Sequence, residues 1–235
     1  MSEVNIAIEG AAWVTAGGIG SLKSDKNFSM PAGNLPELRK ELLTTSPEGR
    51  WGRLDDYSKA GLIAASMAVE DSGIETANSP ITTGVIVSTV TGCADVDHKY
   101  YQSVLPEDGL LASPNLFAYT LPNCMLGEVS IKYTFTGPAM VVSQIKPDML
   151  NGITTAAGLL DYGLCDRVIA GYCNLEINTD LVDTECKPGA VFLVMKKAEK
   201  NGMLAYNGVN LLYNGSEVSD LVGLMELLIQ KKFVE

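Results

Sequence analysis

The chain has 235 residues, of which 46% are hydrophobic and 19% charged, a balance typical of one large domain or two small ones that bury an apolar core. This composition excludes intrinsic disorder, fibres and collagen. Seventeen basic residues against twenty-eight acidic ones give a net charge of −11, which repels phosphate backbones and anionic membrane surfaces. Nucleic acids and membranes are therefore not expected partners.

The cysteines are odd in number and none of them lies in a C-x-x-C spacing. They are Cys93, Cys124, Cys165, Cys173 and Cys186. This pattern argues against a disulfide framework and against a zinc site, so we expect a reducing compartment and no metal. The first residues lack the basic and apolar regions of a signal peptide, and no uncharged apolar run is long enough to cross a bilayer. The sequence predicts a soluble, cytoplasmic protein without a cofactor.

Short apolar runs rich in β-branched residues recur along the chain and predict five strands. These runs are residues 4–8, 84–89, 139–143, 167–172 and 190–195. Helices or long polar loops separate them. This alternation is typical of an α/β sheet that is covered by helices on both faces.

Two segments have the pattern of covering helices. Apolar residues recur at helical spacing through residues 54–71. Pro147 and Asp148 predict the start of a second helix that runs to residue 163, because proline suits the first turn and an acid favours the positive end of the helix dipole. Small, uncharged residues over 152–158 predict that this helix lies deep and close to other backbone.

The last segment predicts a helix that must dock on the rest of the chain. Ser216 and Glu217 have the pattern of a helix cap, and an apolar stripe then precedes the basic pair Lys231 and Lys232. The stripe consists of Leu221, Leu224, Met225, Leu228 and Ile229.

Two long connections, residues 21–53 and 91–136, show little periodicity and are predicted as loops. A loop of that length inside a compact domain usually carries function or an interface. The glycines within residues 17–20 are interpreted as a conformational turn, because their spacing does not match a phosphate-binding loop.

His98 is the only histidine of the chain, and this restricts the available chemistry. Nucleophilic catalysis needs a base within hydrogen-bond reach of the nucleophile. A cysteine would have to meet His98 in space, and the candidates, Cys124, Cys165 and Cys173, are more simply interpreted as small packing residues. The two acids beside His98 favour a solvated polar loop over a metal site.

Six blocks of residues, in order along the chain, resemble the β-ketoacyl synthases, the condensing enzymes of fatty-acid and polyketide synthesis. The blocks are VNIAIEG at residues 4–10 with Val14, Thr15 and residues 18–20; RLDDYSK at 53–59; GVIVST at 84–89; Ser113, Pro114, Phe117, Thr120, Pro122, Asn123 and Gly127; Thr136, Gly137 and Pro138; and Ala170 and Gly171 with KPGAVFLV at 187–194. The resemblance covers about residues 4–200 and rests on the ordered combination of blocks, since no single motif decides it.

The resemblance implies half of a thiolase-like fold. In the family, two similar halves each contain a five-stranded mixed sheet with helices, and this chain has the length of the first half only. We therefore expect a single α/β domain over residues 1–235, with a five-stranded mixed sheet covered by helices on both faces. Four strands are expected to have parallel-type connections, and residues 190–195 to form the final strand after a short loop.

The resemblance also locates the family's catalytic position in this chain. The family's nucleophilic cysteine sits at the N-terminus of the buried helix after the Gly-Pro strand, where the helix dipole and backbone amides lower the thiol pKa. Counting from Gly137 and Pro138, that position falls on Lys146, and no cysteine lies between Cys124 and Cys165. The family's two histidines belong to its second half. No catalytic residue is therefore expected, and Lys146 is interpreted as filling the old pocket, with its charge reaching a carboxylate or solvent.

The leading hypothesis is a non-catalytic subunit that acts by association. The resemblance implies pairing through the strand at residues 139–143, either with a second copy or with an active synthase. An acyl carrier protein is a further candidate partner. The face that a missing half would cover is expected to be apolar, which favours association as well. The pocket or interface candidates are Ser143, Gln144, Pro147, Phe117 and Cys173.

Two other hypotheses remain open. The first is a small acyl-thioester enzyme, a decarboxylase or acyltransferase, that uses Lys146 or a cysteine as its reactive group. The second is a module that binds a small ligand or a carrier protein. The acidic surface disfavours the carrier, because acyl carriers are acidic themselves.

Overall fold

The architecture is one mixed sheet between two layers of helices. It is taken from a computed structural model that describes residues 3–44, 50–76, 82–175, 187–199 and 202–232. The described residues form nine strands: β1 (Val4–Thr15), β2 (Gly18–Ser21), β3 (Thr83–Thr89), β4 (Ala139–Ser143), β5 (Arg167–Asn174), β6 (Gly189–Lys197), β7 (Leu204–Tyr206), β8 (Leu211–Tyr213) and β9 (Ser216–Glu217). They also form six α-helices: α1 (Asp56–Ser72), α2 (Ala94–Val104), α3 (Pro114–Phe117), α4 (Asn123–Tyr133), α5 (Asn151–Asp161) and α6 (Leu221–Lys232).

The five predicted strands form the centre of the sheet in the order β4-β3-β5-β6-β1. β3 pairs in parallel with β4 and with β5, whereas β6 is antiparallel to both β5 and β1. This confirms the predicted mixed sheet. The strands β7, β8 and β9 extend it beyond β1, and β2 forms a hairpin with the second half of β1, so the sheet has nine strands rather than five.

Alternate side chains of the strands supply two apolar cores, one on each face. On β1, Trp13 belongs to the core under α5 and α6, while Ala12 and Val14 belong to the core under α1 and α4. Successive side chains of a strand point to opposite faces of the sheet, and because helices cover both faces, most of these side chains are apolar. The predicted helical cover on both faces is confirmed.

Three sequence predictions about helices are wrong. α5 begins at Asn151 rather than at Pro147, because residues 143–150 form a turn that places Met149 in the left-handed region (φ 59°). Residues 91–136 contain α2, α3 and α4 instead of one long loop. Ser216 and Glu217 form β9, and the residue that caps α6 is Asp220, whose carboxylate accepts the Gly223 N–H at 2.8 Å.

The docked C-terminal helix is confirmed, and it changes what the surface exposes. The apolar stripe of α6 lies in one core with the inward-facing residues of α5, and its four innermost side chains are at most 2% exposed. These four are Leu221, Leu224, Met225 and Leu228. On this side of the sheet, the chain therefore covers an apolar surface with its own C-terminal helix.

No helix within the described ranges combines the length and apolar character that a membrane span needs.

Two glycines allow close backbone contacts around β5, and the position of α5 depends on the first of them, Gly152. A Cβ at Gly152, in the first turn of α5, would collide with the carbonyl oxygen of Gly171 and lie 2.9 Å from the Ser88 nitrogen. A Cβ at Gly171 would collide with the Val191 carbonyl oxygen. The helix therefore lies directly on β3 and β5, as its small residues predicted.

We predict that Gly152→Ala lowers the free energy of unfolding by about 1–3 kcal/mol, because the added methyl group forces α5 away from the sheet. Gly127→Ala in α4 is the matched control. A Cβ there has no neighbour within 4 Å among the described residues, so alanine should raise stability by about 0.5–1 kcal/mol through helix propensity. Urea unfolding of the three proteins measures both effects. Equal stabilities of the three proteins would contradict the close approach of α5 to the sheet.

Glu9 on β1 forms ion pairs with Arg167 on β5 and with Lys196 on β6. Glu9 accepts hydrogen bonds from Arg167 Nε at 2.6 Å and from Lys196 Nζ at 2.7 Å. Burial alone would raise the pKa of Glu9, but the hydrogen bonds and positive charges of Arg167 and Lys196 outweigh this effect and lower the pKa below 4.5.

A lowered pKa in the folded state means that Glu9 stabilises the fold above its unfolded pKa of about 4.5, and that this stability is lost as pH falls through the folded pKa. We predict that Glu9→Gln costs about 1–3 kcal/mol at pH 7, with the difference from wild type shrinking in acid. Unfolding at pH 7 and in acid tests this, with Glu226→Gln on the exposed face of α6 as control. A difference in unfolding free energy between Glu9→Gln and wild type that stays constant with pH would contradict this prediction.

Candidate functional site

The turn between β4 and α5, residues 143–151, is held together by the side chain of Gln144. This residue is 4% exposed, and its backbone N–H donates to the Thr89 carbonyl at the end of β3 (2.8 Å). Its Nε2 donates to the Lys146 carbonyl (2.6 Å) and to the Asp148 carboxylate (3.0 Å), and its Oε1 accepts the N–H of Asn151 (3.1 Å). One buried side chain thus connects both ends of the turn.

The backbone amides at the start of α5 are engaged by the chain itself. Asp148 Oδ1 accepts the N–H of Leu150 at 3.1 Å, while Gln144 takes that of Asn151. The side chain of Asn151 donates back to the Ser143 carbonyl at 2.8 Å. N–H groups at a helix N-terminus bind anions when they are free. At these two positions they are bonded within the turn.

Lys146 lies on the outside of this turn and is exposed. It borders a cleft of about 300 Å³ between the start of α5 and the segment that contains β8 and β9. Most of the lining is polar and includes charges of both signs. The lining residues on the α5 side include Ser143, Asp148, Asn151, Thr154 and Thr155, and those on the other side include Asn210, Glu217 and Ser219. A lining of this kind is poorly suited to an acyl chain.

The structure brings together some of the predicted site residues and separates the others. Ser143 and Lys146 line the cleft, Pro147 is exposed on the same turn, and Gln144 is buried beneath it. Phe117 is 61% exposed at the end of α3, outside the cleft lining. Cys173 lies fully buried in β5, in the core on the opposite face of the sheet from α5. Its thiol donates to the Tyr57 carbonyl at 3.7 Å.

Burial keeps the described thiols protonated. It raises the pKa of Cys93 to about 12, with a further contribution from Asp97, and it raises the pKa values of Cys124, Cys165 and Cys173 as well. The thiolate is the nucleophilic form, so these environments suppress reactivity. Cys186 lies outside the described residues.

The residues that the sequence offered for metal binding or base catalysis do not form a site. Of these residues, Cys93 and Asp97 are in contact, with the sulfur 3.8 Å from a carboxylate oxygen. His98 is exposed on α2 and its Nε2 is 2.8 Å from the side-chain nitrogen of Gln102. Across the part of the chain that the structure describes, no three His, Cys, Asp or Glu side chains are grouped as a metal site.

Sequence reasoning missed one residue that organises this edge of the sheet. Asn174, at the end of β5, is 2% exposed, and its Oδ1 accepts the Thr91 N–H (2.9 Å), the Thr91 hydroxyl (2.8 Å) and the Val90 N–H (3.2 Å). Asn174 therefore fixes the chain where it leaves β3. Gln144 holds the same end of β3 through the bond of its N–H to the Thr89 carbonyl. The available signal was an asparagine at the end of an apolar strand, because a buried side-chain amide needs hydrogen-bond partners.

The family model for the N-terminal domain of β-ketoacyl synthases matches residues 35–188, which is more than half of the chain. The chain belongs to the β-ketoacyl synthase family. The matched range contains β3, β4 and β5 and the helices between them.

Two curated relatives show how much of a β-ketoacyl synthase the chain matches. It is 27% identical over 120 residues to 3-oxoacyl-[acyl-carrier-protein] synthase 2 of Vibrio cholerae, a match that spans 51% of this chain and 29% of the relative. It is 30% identical over 136 residues to the oxytetracycline polyketide putative beta-ketoacyl synthase 1 of Streptomyces rimosus, spanning 54% and 31%. Each match therefore covers less than a third of the relative.

Solved ketosynthase structures share the fold over a larger part of the chain. A type II polyketide acyl carrier protein in complex with its ketosynthase has a TM-score of 0.67 at 16% identity, covering 84% of this chain and 64% of that one. The ishigamide ketosynthase/chain length factor has a TM-score of 0.63 at 17% identity, covering 86% and 65%. These likenesses confirm a thiolase-like ketosynthase architecture for the chain.

We predict that Gln144→Ala lowers the free energy of unfolding by about 1–3 kcal/mol, because it leaves buried hydrogen-bonding groups of the turn without their partner. Gln102→Ala, an exposed position on α2, is the control and should change stability by less than about 0.5 kcal/mol. Urea unfolding compares the two variants with wild type. If Gln144→Ala behaves like the control, the side chain does not hold the turn.

Proposed function

We propose that this β-ketoacyl synthase homologue is a non-catalytic subunit that works by association with a second chain in fatty-acid or polyketide-type biosynthesis. The partner is a second copy of the chain or an active synthase. A single domain over residues 1–235 and a cytoplasmic setting are parts of the same proposal.

The turn before α5 is the observation that carries the proposal. Lys146 stands where counting along the family's motif places the nucleophile, and it is exposed on the outside of the turn. The amides of Leu150 and Asn151, at the N-terminus of α5, are bonded to side chains of the turn. The described thiols lie elsewhere or are protonated by burial. Condensation by attack on a thioester has no support in this geometry.

The edge of the sheet supports association. β4 is the last strand in the described sheet on its side, and pairs only with β3 there. Ala139 and Met140 on β4 are exposed, and Met140 is 39% accessible. An edge strand with free backbone groups is a template for pairing with another strand. The prediction that residues 139–143 form the pairing strand therefore stands as part of the proposal.

Large apolar side chains are exposed at unusual density in the segment between β3 and the tip of β4. Those more than half exposed are Tyr101, Leu105, Leu110, Leu111, Phe117, Leu121, Ile131 and Ile145. Scattered apolar residues are normal on a monomer, whereas contiguous ones mark interaction surfaces, so these side chains are candidates for the proposed partner contacts. This is the segment that the sequence assigned to partner contacts.

The kind of partner follows from the family. One structure with a TM-score of 0.56 is a ketosynthase in complex with its chain length factor from Xenorhabdus doucetiae, and another is a ketosynthase in complex with its acyl carrier protein. By analogy, we favour a synthase or a second copy as the partner. The net charge of −11 weakens the case for an acyl carrier, which is itself acidic.

The alternative, a small acyl-thioester enzyme, would need Lys146 or a cysteine as the reactive group. No observation favours it. The cleft beside Lys146 is polar and open, and the pKa values of the described cysteines are raised.

We predict that the protein is a dimer at micromolar concentration and that Met140→Lys shifts it towards monomer, because a lysine on an edge strand opposes strand pairing. Val209→Lys, a substitution at a 70% exposed position in the turn between β7 and β8, is the matched control. Native mass spectrometry and sedimentation velocity measure the mass of each protein.

The control variant should keep the mass of the wild type. A wild-type protein that stays monomeric, both alone and when mixed with an active synthase, would overturn the proposal of action by association. A dimer that is unchanged by Met140→Lys would move the interface away from β4.

A further inference from the structure

The cleft beside Lys146 is built from two parts of the chain that lie far apart in the sequence. Residues 142–155, at the tip of α5, supply one wall, and residues 209–219, which contain β8 and β9, supply the other. The family model ends at residue 188, so the second wall lies outside the range that it matches. The match to the family therefore does not account for this cleft.

Backbone hydrogen bonds and a shared core fix the two walls relative to each other. The N–H of Leu221 donates to the carbonyl of Asp148 at 2.8 Å, and the N–H of Val218 donates to the carbonyl of Leu211 at 2.9 Å. Leu150 of the first wall belongs to the same apolar core as Leu211 and Val218 of the second. A cleft whose walls are already in place costs a ligand little ordering of the protein.

The cleft combines an apolar floor with charged sides. Three of the lining side chains are buried and form the floor, namely Leu150, Leu211 and Val218. Each wall carries a carboxylate, Asp148 on one and Glu217 on the other, and Lys146 adds an ammonium group. Two negative charges against one positive charge leave the described lining with an excess of one negative charge, in a protein whose net charge is −11. The resulting field favours cations.

Three polar side chains of the lining donate their hydrogen bonds to the protein itself. The hydroxyl of Thr155 donates to the Asn151 carbonyl at 2.7 Å, and that of Ser219 donates to the Asp220 carboxylate at 3.2 Å. The side-chain nitrogen of Asn151 donates to the Ser143 carbonyl at 2.8 Å. A hydroxyl has a single proton, so these groups offer a ligand mainly acceptor oxygens.

The two carboxylates add further acceptors. Asp148 Oδ1 accepts hydrogen bonds from Gln144 Nε2 and from the Leu150 N–H, which holds the carboxylate in place, while its Oδ2 has no hydrogen-bond partner among the described residues. Glu217 is exposed on β9. Acceptor oxygens with an excess of negative charge are complementary to a positively charged donor, because charge-assisted hydrogen bonds are the strong ones.

The size and the floor of the cleft favour an organic cation over a metal ion. Within the described ranges, no three His, Cys, Asp or Glu side chains are grouped to hold a metal. The volume of about 300 Å³ corresponds to about ten water molecules, and thus to a ligand of about ten non-hydrogen atoms. The buried aliphatic floor suits methylene groups.

We infer that this cleft binds a small aliphatic amine. Its ammonium groups pair with Asp148 and Glu217, and its methylene chain lies on the floor formed by Leu150, Leu211 and Val218. The inference goes beyond the proposed association and does not depend on it, because every residue that it uses belongs to one chain.

Isothermal titration calorimetry of the full chain with hexamethylenediamine tests the inference. An ionic strength of about 0.15 M screens the general attraction of cations to the acidic surface. Hexanediol and adipate are the matched probes, since they have a similar length but are neutral and anionic. We expect saturable binding of the diamine, with one molecule per chain, and no binding of the diol or the dicarboxylate.

Two pairs of variants locate the binding. Glu217→Gln should weaken binding of the diamine by about tenfold, because it removes one charge-assisted pair. Glu226→Gln removes the same charge from the exposed face of α6 and should change the affinity by less than about twofold. Asp148→Asn should also weaken binding by about tenfold, with Asp161→Asn, an exposed position at the other end of α5, as its control.

The absence of saturable diamine binding in wild type would overturn the inference. Equal losses of affinity in a variant and its control would overturn it as well, because they would assign binding to the acidic surface as a whole. Hexanediol or adipate that binds as tightly as the diamine would show that the cleft does not select a cation. If Asp148→Asn does not fold, the pair at Glu217 and Glu226 decides alone.

Discussion

The close contact between α5 and the sheet is the constraint on which the rest of the structure depends. Gly152 leaves no room for a side chain, so the backbone of the helix rests directly on the backbone of β3 and β5. This fixes the first turn of α5 at the carboxyl edge of the parallel strands, where ligands bind in open α/β sheets. Asn174 and Gln144 then hold the strand ends around it.

The turn before α5 is the part of the structure that supports the proposed loss of catalysis. An attacking thiolate at a helix N-terminus needs free amides and an unprotonated sulfur. Here Gln144 and Asp148 bond to the amides of Asn151 and Leu150, and α6 is anchored to the same turn through Leu221. In the proposed function, association uses the edge of the sheet at β4.

Much of the fold follows from local patterns. Three features were predictable from apolar runs and helical spacing in consecutive residues. They are the five neighbouring strands β4-β3-β5-β6-β1, the helix α1 and the docking stripe of α6. α2 was missed because its first turn carries Asp95 and Asp97 and it buries only Val96. The start of α5 was misplaced because Pro147 and Asp148 imitate a first turn. The role of Gln144, which spans seven residues to Asn151, and the cover by α6 depend on tertiary contacts that no local pattern contains.

The central claim is that the tip of α5 carries no nucleophile for thioester chemistry. The most direct measurement is intact-protein mass spectrometry after incubation with acyl and malonyl thioesters, with carbon dioxide release followed in parallel. The account predicts an unmodified mass and no carbon dioxide above the background without protein. A stoichiometric acyl adduct mapped to Lys146 or to a cysteine, or carbon dioxide release that disappears in Lys146→Ala, would contradict it.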